Sequence, residues 1–523
     1  MDIITNEQLR ELTALAAKRK EEILNTPSVY PLDRPTYYVD SENGSDENDG
    51  KSPETAWRSL PRVDVADLNE GDVVLFKRGQ KFRGSMRSVS GVTYSAYGEG
   101  AKPELLCSID ASSPDLWVPT RWENVWMFVN LISYVRDIGA VVINDGECWG
   151  IKVYKNCKTN ERVDMYRTGG RRGDCHGELD VWNGRRWVHR ECTIWNGPED
   201  LKSDLEFYHD WSAERLYLYC PDGNPGKAFE RIELSVRYST FRNLNNDNVT
   251  VDNLAFKCAG IHAIASSSCR NFTVRNCEFA FLGGSLMNVE AHARKEENIA
   301  YGDDPTRLGN AIEIYGTCDG YLVENNYIRQ IYDTGITVQY NGGSTLTRDL
   351  YIQNVEWRNN LIDTCHWSLE LWLYVPKERG EFDAAYRNID IHDNICINNG
   401  YGWGRQRPDK YDTAFSGGGG MNSCNPDFEN YVIRDNIFLN AKSSLLSTIS
   451  FGDDGIHVVG NKLYTDSSIG SFGGDLEFRK SPPSHFSATD ENLERLENCG
   501  WWQNNEFKKL NKPEDCIEPF VKF

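Results

Sequence analysis

From about residue 240 to 465 the chain repeats one hydropathy pattern. A short run alternates apolar, mostly β-branched or aromatic residues with polar ones, and each run closes on Asn: Asn253 in VTVDN, Asn276 in FTVRN, Asn326 in YLVENN, Asn360 in EWRNN, Asn394 in IDIHDN, Asn436 in YVIRDN and Asn461 in IHVVGN. The steps between them are 23, 50, 34, 34, 42 and 25 residues. Alternation of period two, with no helical period, predicts strands. A unit of about two dozen residues, lengthened by loops, predicts a solenoid. The fold class expected is therefore all-β, a right-handed parallel β-helix in which each coil contacts only its neighbours. The recurrent Asn is expected at a tight turn in the left-handed region, hydrogen-bonded to the coils above and below.

Outside the repeat the pattern changes. Residues 5–25 place Leu9, Leu12, Leu15 and Ala16 on one face behind Asn6 as N-cap, which predicts an amphipathic helix that covers the first coil or packs beside it. Residues 107–235 break the rhythm with alternating strands and Gly, Asn or Asp turns, which predicts an inserted antiparallel β-domain carrying Trp149, Trp182, Trp187 and Trp195. The expected organisation is a capping helix (1–30), first coils (31–106), the insertion (107–235), the main coils with the active-site groove (236–470) and a C-terminal capping segment (471–523).

Aligning the coils by their Asn stacks three strands: NAIEIY (310–315), GITVQY (335–340) and SLELWLY (368–374). Side chains alternate along a strand. Ile312, Ile314, Ile336, Val338, Leu369 and Leu371 point inward. Glu313, Thr337 and Glu370 then form one outward column, with Tyr315, Gln339 and Trp372 beside it. At about 4.8 Å per strand the two Glu backbones lie roughly 9.6 Å apart. Paired carboxylates beside rings suit glycoside hydrolysis: one protonates the leaving oxygen and the other activates water or attacks the anomeric carbon. Asp333, on the turn before the Thr337 strand, reads either as a third acid or as an Asx-turn residue before Gly335. Tyr374 ends the third strand. His366 precedes it and reads as a hydroxyl-binding group or a turn residue. Trp403, Arg405, Arg407 and Asp409 lie on a polar insertion in the next coil, where an Arg can hold a sugar hydroxyl or pair with Glu370.

Composition narrows the chemistry. A net charge of −21 and a pI near 5.0 argue against nucleic acid, anionic membranes and, less strongly, a polyanionic substrate. The 12% aromatic content is high for a mean hydropathy of −0.57 and suits stacking on sugars, although packing in the core accounts for most rings. Fifteen Cys without a CxxC pair, and an N-terminus without an apolar signal region, lead us to expect a reduced cytoplasmic protein. No metal or cofactor is expected, and the oligomeric state is left open. GGGG at 417–420 lacks the Lys-Ser/Thr and helix pattern of a phosphate loop.

The segments YYVDSENGSDENDG, DVVLFKRGQKF and GVTYSAYGEGAKP, in that order, resemble the opening coils of β-helix carbohydrate-active enzymes. NAIEIYG, QIYDTGI, SLELW and YGWGRQRPD are similar to segments of bacterial proteins in the pectin-lyase-like superfamily. The resemblance implies the fold and carbohydrate activity, but no particular substrate. Leu371-Trp372-Leu373 also looks like part of the β-helix β-xylosidases, where an Asp nucleophile follows; here Tyr374 does. The leading expectation is an exo-acting glycoside hydrolase on a short neutral oligosaccharide. The alternatives are a polysaccharide lyase, with Arg407 or Tyr374 as base, and a non-catalytic carbohydrate-binding β-helix protein.

Overall fold

The computed structural model describes residues 2–29, 34–130, 136–153, 178–191, 197–210, 213–287, 307–343, 345–376, 379–406, 413–418, 426–442, 444–450, 455–466, 468–473, 484–487 and 489–510. Three long sheets wind around one apolar core, with eleven, ten and ten strands. Each full coil passes through all three. In the Asn326 coil, Cys318–Glu324 lies in sheet 1, Tyr327–Ile331 in sheet 2 and Thr334–Asn341 in sheet 3. Strands of successive coils pair parallel and in register, as in Tyr321↔Val355↔Ile389↔Tyr431 of sheet 1. The protein is a parallel β-helix. Its last sheet 3 strand, Ser484–Ser487, pairs antiparallel with Ser468–Gly473.

The corner between sheets 1 and 2 carries the Asn ladder, and its register refines the sequence reading. Asn326, Asn360, Asn394, Asn436 and Asn461 are fully buried. Asn360 Oδ1 accepts from the backbone N–H and the side-chain Nδ2 of Asn326, both at 3.0 Å. The same pair of bonds repeats from Asn360 to Asn394, Asn394 to Asn436, and Asn436 to Asn461. The residue in the left-handed region is not the ladder Asn but the one before it: Asn325 (φ 53°), Asn359 (56°), Asp393 (55°), Asp435 (55°) and Gly460 (67°). Asn253 (φ 61°) and Asn276 (φ 54°) occupy that preceding position. The ladder position in the Asn276 coil falls instead to Cys277, whose N–H donates to Asn326 Oδ1 at 2.9 Å. At the far end Asn461 bonds to Asn505, so a further rung, with strands Trp502–Gln503 and Glu506–Lys508, lies in the stretch expected to cap the solenoid.

The N-terminal helix spans Asn6–Leu24 and is capped by Thr5, which forms a capping box with Gln8, not by Asn6. It lies along sheet 2 and not across the open end. Ile4, Ala16 and Ile23 pack on Tyr327, Leu361, Ile395, Ile397, Leu439 and Tyr464, which come from successive coils. Ile3 pairs with Lys509 of the last rung. Thr26 O accepts from Arg78 Nη2 (2.7 Å) and Asn253 Nδ2 (3.0 Å) near the first. The helix thus straps the coils along the solenoid axis.

Between Ser108 and Val236 the described strands form a four-stranded sheet, a five-stranded sheet and a two-stranded hairpin, mostly antiparallel and around a core of their own. Trp149 is buried there, Trp182 half-buried and Trp187 exposed; Trp195 lies outside the described residues. The unit is pinned to the solenoid beside sheet 3. Lys152 Nζ donates to Asp137 (2.5 Å), and Asp137 accepts from Leu286 N–H (2.7 Å). Arg307 donates to Gly284 O at 2.6 Å and Gly139 O at 3.3 Å, and its guanidinium stacks over Tyr332, 4.3 Å from the ring centre. Tyr332 leads directly into Asp333.

Candidate active site

The site strands follow the second corner of each coil, not the Asn corner: Ile312–Tyr315, Thr334–Asn341 and Trp367–Tyr374 in sheet 3. Their register stacks Glu313↔Thr337↔Glu370 and Tyr315↔Gln339↔Trp372. Ile312, Ile314, Ile336, Val338, Leu369 and Leu371 fill the core behind them. The alternation that buries those six side chains turns the two Glu to the outer face. There Glu313 and Glu370 are nevertheless only 8% and 4% exposed. Buried carboxylates need donors, because desolvation of an unpaired charge costs several kcal/mol.

Glu370 takes its side-chain donors from the neighbouring rung. Glu370 Oε2 accepts from Thr337 Oγ1 (3.1 Å), from Gln339 Nε2 and, at 3.4 Å, from Thr334 Oγ1. The Glu370 carboxylate therefore leans over the middle strand, towards Glu313. Thr334 Oγ1 also lies 3.4 Å from Asp333 Oδ1. Asp333 Oδ1 and Glu370 Oε2 can be no farther apart than twice that distance. Asp333 is 4% exposed, and its backbone N–H donates to Gly309 O at 3.1 Å. Gly309 has φ +146°, and a Cβ there would fall 1.9 Å from Gly283 Cα, so the chain crosses Gly283 only because neither residue carries a side chain.

That crossing delivers Asn310, which the sequence reading did not single out. Asn310 Nδ2 donates to Glu313 Oε2 at 2.6 Å, and its Oδ1 accepts from Thr334 N–H at 2.9 Å. A second missed residue is His262, whose Nδ1 lies 2.9 Å from the same Glu313 oxygen. Burial acts to raise the Glu313 pKa, but His262 and Asn310 outweigh it and hold the carboxyl below the usual range, with Asp333 opposing them. Both residues were legible: His262-Ala263-Ile264-Ala265, Asn310-Ala311-Ile312-Glu313, Thr334-Gly335-Ile336-Thr337 and Trp367-Ser368-Leu369-Glu370 are four successive rungs of one pattern. The long step between the Asn276 and Asn326 turns hid the first.

The remaining expected residues divide into three groups. Tyr315, Gln339, Trp372 and Tyr374 line the outer face: Tyr315 is 51% exposed and the other three are half-buried. Tyr315 packs edge-on against Tyr340, and Trp372 against Tyr374. His366, in contrast, is 1% exposed and stacks on Trp367 behind this rim. Trp403 does not offer a ring to a sugar. It is fully buried against Tyr332, with its indole N–H donating to Gln330 O (2.5 Å) and its backbone N–H to Gln330 Oε1 (2.8 Å). It fills the seam between the solenoid and the insertion, in a cluster with Trp149 and Phe281. Arg405 is in the same turn, Trp403–Gln406; its side chain, and all of Arg407 and Asp409, lie outside the described residues. Among the described residues no group of three or more His, Cys, Asp or Glu has a metal-binding arrangement. No described helix is long and apolar enough to cross a membrane.

Fold and column together define a β-helix protein with a carboxylate cluster on the outer face of one sheet. No protein-family model matches the chain. It is 21% identical over 481 residues, 83% of its length, to a lacto-N-biosidase from Bifidobacterium longum subsp. longum, and it spans about a quarter (27%) of that relative. Among solved structures it is similar to XylC in complex with xylose (14% identity, 84% of this chain and 70% of that one, TM-score 0.44). It is also similar to a structure described as a glycoside hydrolase (9% identity, 93% and 98%, TM-score 0.42). A third is the GH136 lacto-N-biosidase from Eubacterium ramulus (11% identity, 91% and 68%, TM-score 0.33).

Proposed function

We propose that the chain is a glycoside hydrolase that cleaves a short, neutral oligosaccharide or glycoside at the Glu313–Asp333–Glu370 cluster. The observation that carries the reading is the shared column: two nearly buried carboxylates on either side of Thr337, with a third bridged to one of them by a single hydroxyl. Its environment splits the roles. Glu313 is held ionised by His262 and Asn310 and serves as base or nucleophile. Asp333 and Glu370, bridged by the Thr334 hydroxyl, are the carboxyls placed to protonate the leaving oxygen. Tyr315, Trp372 and Tyr374 form the rim on which a sugar ring stacks. The acidic net charge favours a neutral substrate over a polyuronate. The sequence similarity to a relative that bears a glycosidase name agrees with this class of reaction.

The test is a screen of aryl glycosides and neutral oligosaccharides, followed by reducing-end release and by the ultraviolet absorbance of unsaturated products. New reducing ends without that absorbance are expected. Unsaturated products, or loss of activity with chelator, identify a lyase and overturn the reading.

A further inference from the structure

The column that carries Glu313 and Glu370 runs on towards the first coils. Ala265 stands in register with Glu313, Arg242 with Ala265, and Arg87 with Arg242. Phe241 and Ile264 point into the core, so the alternation turns Arg242 and Ala265 to the same outer face as Glu313. At about 4.8 Å per strand, Arg242 lies roughly 9.6 Å along the column from Glu313. Between them Ala265, half-buried, offers only a methyl group. The column therefore has a notch one rung tall, with a cation on one side and a carboxylate on the other.

Arg242 stands apart because it lacks a partner. Arg87 grips Asp64 at 3.0 and 2.9 Å, and Arg270, Arg358 and Arg434 in the same way hold Asp247, Glu324 and Asp390. Acceptors are not scarce in a chain with 78 Asp and Glu. Yet Arg242 Nε is buried without a hydrogen-bond partner, and among the described residues no acceptor meets the rest of its guanidinium. Asp64, whose carboxyl feels the charge of Arg242, is already engaged by Arg87. Buried donors in native proteins are nearly always paired, and an unpaired charged one is costly. The guanidinium fork matches two neighbouring oxygens of a ligand.

We propose that Arg242 is a substrate-binding residue of a second sugar subsite, in the notch over Ala265, where its guanidinium donates to two neighbouring hydroxyls of the sugar unit adjoining the one cleaved at Glu313. The methyl group of Ala265 leaves room for that ring and gives it an apolar floor. The enzyme then acts on an oligosaccharide in preference to a single sugar on a small aglycone. The subsite rests on the proposed function for the bond that is cleaved, but its occupancy is tested without turnover.

The first measurement is binding of the full chain, as Glu370→Gln, to an array of neutral and uronate-bearing oligosaccharides. It is repeated with Arg242→Met added, which keeps the aliphatic stem. Affinity for neutral di- and trisaccharides is expected to fall about 10–100-fold with Arg242→Met, the usual worth of a hydrogen bond to a charged group. Neutral binding that Arg242→Met leaves unchanged, or no binding to any glycan, overturns the subsite. Dependence on Arg242 confined to uronate-bearing glycans overturns the hydroxyl recognition assigned to it. The second measurement is turnover. The ratio of kcat/KM for a hydrolysed disaccharide to that for its aryl monoglycoside is expected to fall by the same factor in Arg242→Met. Equal losses on both overturn the subsite and leave the proposed function standing, since a purely structural role weakens both alike. Binding that depends on Arg242 without any hydrolysis does the reverse: it upholds the subsite and overturns the proposed function.

Discussion

Two columns of buried polar side chains run along the same solenoid, and they solve burial in opposite ways. The corner column repeats one neutral residue: Asn326, Asn360, Asn394, Asn436 and Asn461. An amide carries both donors and an acceptor, so a stack of amides satisfies itself rung by rung. The sheet 3 column holds Glu313, Thr337 and Glu370. An ionised carboxylate only accepts, so a stack of Glu cannot satisfy itself and must be interleaved with donors. Asn310, Thr334, Thr337 and Gln339 supply them. A column that stays the same from rung to rung holds the coils together. One that changes at every rung holds carboxylates in place, which the proposed hydrolysis would require.

The sharpest way to break this contrast is at the carboxylates. Glu370→Gln or Glu313→Gln is expected to lower kcat by about 10²–10⁴-fold, the usual worth of a general acid or base, with little change in the urea midpoint. A loss of folding to match the loss of turnover would put both columns in one class. The ladder is expected to behave in reverse. Asn394→Leu removes bonds to Trp357 O and Asn436 Oδ1 and strands the N–H groups of Asn360. It should cost about 3 kcal/mol in urea unfolding, with turnover per folded molecule unchanged.

A finer comparison lies within the corner itself. Asn359 sits at φ 56° and Asn360 is fully buried in the ladder. Asn359→Gly should stay within about 1 kcal/mol of the parent, since Gly adopts that region freely. Asn360→Gly should lose about 2–3 kcal/mol, because it leaves buried partners unpaired. Equal losses would mean that the turn, not the ladder, sets the corner's stability. The smallest effect is on pH dependence. The Glu313 pKa is depressed in the folded protein, so the stability it contributes is present above its unfolded value of about 4.3 and is lost as pH falls through its lower folded value. The stability difference between parent and Glu313→Gln, followed by urea midpoints across pH, should shrink in that acid window.

The solenoid was legible because a period-two pattern in a repeated unit has one economical solution, and the column Glu313–Thr337–Glu370 followed from register alone. The ladder was read one residue off at Asn253 and Asn276 because both corner positions accept Asn: one for its left-handed backbone, the next for its amide. Only the doubled Asn325-Asn326 and Asn359-Asn360 distinguish them, and the same doubling at Asn504-Asn505 marks the last rung. His262 was missed because the long step between the Asn276 and Asn326 turns separates its rung from the next, so the contact is local in space and distant in sequence. Trp403 misled for a different reason: a Trp among Gly and Arg looks exposed, yet the insertion closes over it, and insertion contacts leave no period to read.

The most direct test of the account is made on one sample, the Glu313→Gln/Glu370→Gln double variant, with the first sugar that the parent hydrolyses. Calorimetric affinity within a few-fold of the parent, together with turnover at the uncatalysed background, is the predicted result. Turnover near the parent's rate would contradict it and move the chemistry off this column.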